Sequence, residues 1–239
     1  MTTLGTPPVI RNSRDSHVIW RSAACGLWLL AGIIVPFVLL LSLFAIVGEQ
    51  HLSETASTVI IATIFGVVCA GCAALWARGI LRIANVPPSR RAIWLSAITY
   101  PVFTILTFTL LGKLERYFVE EGHSPIPLHN LYTALFVPAT FIVSAVLGGA
   151  LGWGLGHRRW MRRLAWRAGL AGALAFLALN VLQDLLGRRV GGPNAAETAT
   201  MITVTIVCNL AAAMAISAEV GRQLQLLPAI RPDQPPAAA

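Results

Sequence analysis

The sequence predicts an all-α integral membrane protein that crosses the bilayer six times. Of the 239 residues, 56% are hydrophobic and only 12% are charged, and the mean hydropathy is +0.71. Soluble domains carry about 25% charged residues, roughly twice as many. The chain also contains six long runs that are almost free of charge, and a helix needs about 20 apolar residues to cross the hydrocarbon core. These observations place the chain in the membrane class.

The six apolar runs define the predicted spans. We place the transmembrane domain at residues 22–218, between an N-terminal tail of residues 1–21 and a C-terminal tail of residues 219–239. The fifth span is the least apolar, because only 16 uncharged residues separate Arg167 from Asp184. The predicted spans are residues 24–47, 55–77, 92–112, 131–155, 164–187 and 198–218.

The distribution of basic residues predicts the orientation of the chain. Six spans leave both termini on one side, together with the links at 78–91 and 157–167. The opposite side holds only four of the 18 basic residues, Lys113, Arg116, Arg188 and Arg189. Basic residues in short loops stay on the cytoplasmic side, so both termini are predicted to be cytoplasmic, with the protein in the inner (cell) membrane. The net charge of +8 therefore reflects orientation and not a nucleic-acid partner.

Three glycines in the fourth span predict tight helix packing. Gly148, Gly152 and Gly156 fall four residues apart, so one face of the helix has no side chains and a partner backbone can approach closely. The spacing does not distinguish packing within the chain from a homodimer.

A weak similarity between the two halves suggests two inverted three-helix repeats. Val35-Pro36 in the first span matches Val137-Pro138 in the fourth. Three spans per half would invert one half relative to the other, and many transporters place their binding site between such repeats. Chance matches between apolar helices are the favoured interpretation, and the inverted repeat is the alternative.

Polar side chains in the fifth and sixth spans form the candidate binding site. Asn180, Asp184 and Arg188 fall four apart and share one helix face. A carboxylate inside a membrane is costly and is usually paired or functional. In one interpretation Asp184 binds a cation, a proton or the polar group of a small solute. In the other, Asp184 pairs with Arg188 at the outer interface, and asparagines join two helices. The candidate binding residues are Asp184, Asn180, Gln183, Arg188, Asn209 and Thr205.

A second polar edge follows the third span. Ser96, Tyr100 and Thr104 recur every four residues and therefore share one helix face. We interpret these hydroxyls as hydrogen bonding to their own backbone or to a neighbouring helix, in preference to lining a solute path.

The link between the third and fourth spans contains weak candidates for metal ligands. Carboxylates and imidazoles bind zinc, but their spacing here matches no standard motif, and a solvated acidic loop is the favoured interpretation. No cofactor is predicted. The weak candidates are His123, His129, Glu120 and Glu121.

The sequence favours a small transporter or permease subunit that moves a small solute or ion across the cytoplasmic membrane. It contains no Gly-x-x-x-x-Gly-Lys-Ser/Thr motif, so ATP-driven transport would need a separate ATPase subunit. The alternative is a non-catalytic accessory or assembly subunit of a larger membrane complex. A membrane-embedded enzyme is the weaker alternative, since no nucleophile or zinc motif is present. The expected partners are the lipid bilayer and a second copy of the chain or a larger membrane complex.

Overall fold

The computed structural model describes residues 13–47, 54–120, 128–156, 158–187 and 195–226, and all regular structure in them is helical. Near several helix ends, including residues 128–133, 182–187 and 195–205, only the backbone path is described. A short π-helical segment, Arg116–Glu120, continues the third helix. The six helices are α1 (Ser13–Val47), α2 (Glu54–Ile83), α3 (Arg90–Glu115), α4 (Leu128–Gly154), α5 (Arg158–Gly187) and α6 (Ala195–Gln225).

Within the described residues, the first five helices are long and apolar enough to cross a membrane. The prediction of an all-α protein with membrane-length helices is therefore confirmed. Several helices extend beyond the predicted spans. α1 begins at Ser13 and α5 begins at Arg158, so both include basic residues that we expected to precede the apolar run. Arginine can occupy the first turns of a membrane helix because its long stem lets the guanidinium reach the interface.

The helices form a closed ring in which neighbours run in opposite directions. Each helix packs against the next one along the chain, and α1 closes the ring by packing against α6. The close approaches at the α1–α2, α4–α5 and α1–α6 seams show these directions. On α1 and α6, for example, Gly26 lies beside Ala213 and Ser22 lies beside Gly221, so the residue numbers run oppositely along the two helices.

Glycines permit the closest helix contacts in the ring. A Cβ atom at Gly148 would lie 2.6 Å from the Leu164 carbonyl oxygen, and one at Gly152 would lie 2.7 Å from the Met161 Cα atom. Both glycines therefore pack against α5 of the same chain. Gly156, the third member of the predicted face, has no neighbour that such a Cβ would meet and adopts a positive φ of 84° just after α4 ends.

One end of the bundle, where α1, α3 and α5 begin, is rich in arginine; we call it the arginine-rich end. The arginines whose side chains are described at this end are all exposed. They are Arg21, Arg78, Arg82, Arg90, Arg91, Arg158, Arg159, Arg162, Arg163, Arg167 and Arg222.

The interior near the arginine-rich end is packed by the second half of α2. Trp76, Ile80 and Leu81 are fully buried there, together with Val220 and Leu224 of α6. The Trp76 indole Nε1 donates a hydrogen bond to Ser217 Oγ at 2.9 Å, and the Ser217 hydroxyl donates to the Ala213 carbonyl at 2.8 Å. This hydrogen-bonded chain joins α2 to α6 across the bundle.

The outer surface of the ring is apolar. Leu41, Val67 and Leu174 are among many large hydrophobic side chains that are mostly exposed. Soluble monomers rarely expose continuous apolar patches of more than a few hundred square ångströms. An apolar exterior around a helical bundle is the arrangement that lipid tails solvate.

Candidate functional site

A cavity of about 560 Å³ lies inside the ring. Its limit toward the arginine-rich end is marked by Leu29 on α1 and Ile216 on α6. Its limit toward the opposite end is marked by Leu111 on α3 and Asn180 on α5. Five of the six helices contribute described lining residues, and α2 contributes none. The cavity therefore occupies the half of the bundle that the buried side chains of α2 do not fill.

The described lining is mainly aliphatic and aromatic, with uncharged polar groups distributed among α3, α4, α5 and α6. Phe136 on α4 stacks on Phe176 of α5, with ring centroids 6.1 Å apart and planes 16° from parallel. The polar lining residues are Tyr100, Thr104, Thr107, Thr140, Ser144, Asn180 and Asn209. Such a lining can accommodate an apolar molecule and orient it with a few hydrogen bonds.

Several of these polar groups already make hydrogen bonds within the protein. The Tyr100 hydroxyl donates to the Leu29 carbonyl of α1 at 3.2 Å. The Thr140 hydroxyl donates to the Phe136 carbonyl at 2.8 Å. Asn180 Nδ2 donates to the Phe176 carbonyl at 2.9 Å, which uses one donor of an amide that also carries an acceptor oxygen.

Thr104 differs from the other lining residues. Its side chain is only 3% exposed, and its hydroxyl oxygen has no hydrogen-bond partner in the part of the chain that the structure describes. A buried hydroxyl without a partner costs about 1–3 kcal/mol. Thr104 lines the cavity, but its hydroxyl oxygen is itself buried, so the side chain must rotate before a molecule or water in the cavity can supply the missing hydrogen bond. The other described buried atoms without partners belong to Ser22, Ser96 and Gln223, none of which is a lining residue.

The structure places two of the predicted binding residues on the cavity wall. Asn180 and Asn209 line it from the neighbouring helices α5 and α6. The backbone of α5 continues through Gln183 and Asp184. The side chains of four predicted residues lie outside the described part of the chain, namely Asp184, Gln183, Arg188 and Thr205.

The weak metal-ligand candidates also lie outside the described side chains; these are His123, His129, Glu120 and Glu121. Among the side chains that are described, no group of three or more His, Cys, Asp or Glu residues is placed to hold a metal ion.

The predicted polar edge of α3 divides into two parts. Tyr100 and Thr104 line the cavity, whereas Ser96 is fully buried outside its described lining. The Tyr100 hydroxyl bonds to another helix, α1, as our preferred interpretation expects, but Tyr100 also lines the cavity. The Ser96 and Thr104 hydroxyls make no such bond within the described residues.

Sequence reasoning missed the contribution of α4. Thr140 and Ser144 fall four residues apart on α4, and both line the cavity. Thr107, one turn beyond Thr104 on α3, also lines the cavity and was not predicted. The four-residue spacing of the two α4 hydroxyls indicates that they share one helix face. Hydroxyl groups are common in membrane helices and bond to their own backbone, so the spacing alone does not identify a cavity.

No family model, curated protein or solved structure matches the chain.

Proposed function

We propose that the protein is a membrane transport protein that binds a small, uncharged and largely apolar solute in its central cavity. One observation carries the proposal: five helices surround a cavity of about 560 Å³ whose described lining combines apolar side chains with uncharged hydrogen-bonding groups. Binding sites for small molecules are typically concave, mainly apolar and roughly 300–1,000 Å³ in volume.

The proposed topology has six spans in the cell membrane and cytoplasmic termini. α6 would supply the sixth span, since its 31 residues extend over about 46 Å at 1.5 Å per residue. The hydrocarbon core is only about 30 Å thick. The exposed arginines at the arginine-rich end support a cytoplasmic position for that end, where the described part of α1 begins and that of α6 ends.

The chemistry of the lining favours an uncharged solute. None of the described lining residues carries a charge. Moving an ion from water into an apolar chamber is costly unless an opposite charge or several dipoles compensate it. A solute with an apolar body and one or two hydrogen-bonding groups would instead use the amides of Asn180 and Asn209 and, after rotation of its side chain, the Thr104 hydroxyl.

Asp184 is our candidate for coupling transport to a cation or proton. It follows Asn180 by one helical turn on α5, and Asn180 lines the cavity. A carboxylate near a membrane solute site is commonly part of an ion or proton pathway. In this proposal the solute occupies the cavity and the coupling ion binds one turn beyond it.

Alternating access would require the bundle to open at each end in turn. At the arginine-rich end, the buried half of α2 packs against α6 through Trp76 and Ser217. Release of solute through that end would therefore require α2 to move away from α6.

Thermal stabilisation of the purified protein by a panel of charged and uncharged solutes tests the proposal. We expect at least one uncharged solute to raise the Tm in mild detergent and to enter proteoliposomes faster than protein-free liposomes. Replacing Thr104 by valine should weaken the binding of that solute about two- to tenfold, since one hydrogen bond contributes roughly 0.5–1.5 kcal/mol.

Thr99→Val is the matched control. Thr99 also lies on α3, but its hydroxyl donates to the Leu95 carbonyl of the same helix at 2.7 Å, and it is not among the lining residues. Equal affinity loss in the two variants, or uptake no faster than into empty liposomes, would contradict the proposal. Absence of uptake together with a stable membrane partner after purification would favour the accessory-subunit alternative.

A further inference from the structure

A second cavity, of about 440 Å³, opens at the arginine-rich end where α3, α4 and α5 meet. We call it the Arg91 groove. Its described lining consists of Arg91, Trp153, Gly156, Arg158 and Met161. The groove is separate from the central cavity and shares no lining residue with it.

The groove is built on a fixed junction between α3 and α4. The Ser89 hydroxyl accepts a hydrogen bond from the Ala92 amide at the start of α3 and donates one to the Gly154 carbonyl at 3.0 Å. Gly154 also packs directly against Ala92. Beyond it, the positive φ of Gly156 turns the chain toward α5. This junction holds the starts of α3 and α5 beside each other.

Two guanidinium groups from different helices line the groove. The Arg91 guanidinium carbon lies 5.6 Å from the centroid of the Trp153 ring, and Arg158 begins α5. Both arginines occupy the first turn of their helix, and neither first turn contains an acidic residue. Since the start of a helix carries a partial positive charge, arginines there are repelled unless an anion is nearby.

The described acidic side chain at this end is already paired. Glu219 accepts hydrogen bonds from Arg222 Nε and Nη2, each at 2.8 Å, and from Gln223 Nε2 at 2.8 Å. Partial burial alone would raise the pKa of the Glu219 carboxyl. The hydrogen bonds and the charges of Arg222 and Arg167 outweigh it and hold the pKa below its ordinary value. Among the described side chains, no other acid is present to neutralise Arg91 and Arg158.

The position of the groove points to a ligand at the membrane surface. Trp153 is 54% exposed and lies where α4 ends, and the exposed Trp94 and Trp166 lie one or two turns into α3 and α5. Tryptophan concentrates at the level of the lipid headgroups. Basic pockets between membrane helices at this level bind anionic headgroups.

We propose that the Arg91 groove binds the phosphate headgroup of an anionic phospholipid. In this arrangement the guanidinium groups of Arg91 and Arg158 donate hydrogen bonds to phosphate oxygens, for which their planar fork is suited. The exposed face of Trp153 packs against the glycerol and upper acyl region. The lipid would offset the positive charge that two helix starts bring together. This proposal is independent of what the central cavity binds.

Native mass spectrometry of the full chain in mild detergent tests the groove. Dioleoylphosphatidylglycerol and dioleoylphosphatidylcholine are titrated separately. We expect the first phosphatidylglycerol to bind about thirtyfold more tightly, because each of the two arginines near an anionic headgroup contributes about 1 kcal/mol. The double variant R91A/R158A should lose this preference.

R159A/R162A is the matched control, since it removes the same amount of charge from two exposed positions on α5 that do not line the groove. It should keep the preference for phosphatidylglycerol. R91K/R158K keeps the charge but lacks the planar fork, and it should show an intermediate preference and report on the site if the alanine variant fails to fold.

Three outcomes would overturn the proposal. The wild-type protein could bind both lipids equally. R159A/R162A could lose the preference as fully as R91A/R158A, which would indicate diffuse attraction to the basic surface. Millimolar inorganic phosphate could displace phosphatidylglycerol from the first site, which would indicate a site for a water-soluble anion.

Discussion

Trp76 is the largest side chain that the described bundle buries completely. Its indole N–H has one partner, the hydroxyl of Ser217, which in turn donates to the Ala213 carbonyl. The indole group cannot reach water where it lies, so the hydroxyl is what makes its burial tolerable. A single serine on α6 therefore stabilises the position of the α2 side chain that fills one end of the bundle.

Replacing Ser217 by alanine should lower the free energy of unfolding by about 1–2 kcal/mol, because a buried N–H would be left without a partner. Trp76→Phe removes that donor, so the additional cost of Ser217→Ala should be smaller in the Trp76→Phe background. Unfolding by titration with sodium dodecyl sulfate measures all members of this cycle. Ser42→Ala is the control, since the Ser42 hydroxyl is exposed and donates only to Val38 of its own helix. Strictly additive costs would show that the pair is not coupled.

Individual site residues differ in how far the sequence identifies them. Asn180 and Asn209 stand out because amides are rare in apolar runs, and both line the cavity. Thr104 and Ser144 look like any hydroxyl that bonds to its own helix, as Thr140 does. Only the packing of five helices around them shows that they face a common space.

The seam between α4 and α5 shows how an element uses its small residues. Gly148 and Gly152 lie against the α5 backbone. A new Cβ at either position would meet backbone atoms, which cannot move aside as the end of a flexible side chain can. Gly66 and Gly71 on α2, by contrast, have no atom within 4 Å of such a Cβ. The same residue type in the same kind of helix is required at one seam and replaceable elsewhere.

Gly152→Ala should lower the free energy of unfolding by about 1–3 kcal/mol, because helices packed this closely must separate to admit a methyl group. Gly71→Ala should be neutral or stabilising, since alanine is favoured over glycine in a helix by about 1 kcal/mol. Detergent-titration unfolding of the two variants against the wild type measures the difference. Equal stability of the two variants would contradict the assignment of Gly152 to a tight seam.

The sequence predicts the presence of the helices better than it predicts which helices pack together or where each helix begins and ends. The glycine spacing on α4 was visible, but whether Gly148 and Gly152 faced α5 or a second copy was not. The length of an apolar run reflects the thickness of the hydrocarbon core, whereas the helix itself can continue beyond that run. The predicted fifth span therefore begins at 164, whereas α5 itself begins at Arg158.

In the whole molecule, helices at equivalent positions of the two halves have different roles. If the halves were inverted repeats, α2 would correspond to α5. α5 lines the cavity through Phe176 and Asn180, whereas no described residue of α2 does. The second half of α2 fills the bundle near the arginine-rich end instead. The inverted arrangement stays a prediction, because a few matches between apolar helices cannot specify how those helices pack.

The arginine-rich end is predicted to face the cytoplasm. Green fluorescent protein fused after residue 239 should therefore fluoresce, and alkaline phosphatase fused after residue 121, between α3 and α4, should be active because it requires an oxidising compartment. The physical reason is the retention of basic residues in short loops on the cytoplasmic side. The reverse result, with no fluorescence from the fusion at residue 239 and an inactive phosphatase at residue 121, would place the Arg91 groove at the outer leaflet and invert the proposed topology.

Closure of the ring between α1 and α6 bears on how the protein is made. Gly26 and Ser22 of the first helix pack against Ala213 and Gly221 of the last one. A ribosome completes α1 long before it begins α6, and contacts between residues so distant in sequence form late. Until the last helix inserts, the lining of α1 lacks its neighbour and is open to lipid. In a five-helix intermediate without α6, the future cavity would be a groove on the outside of the protein.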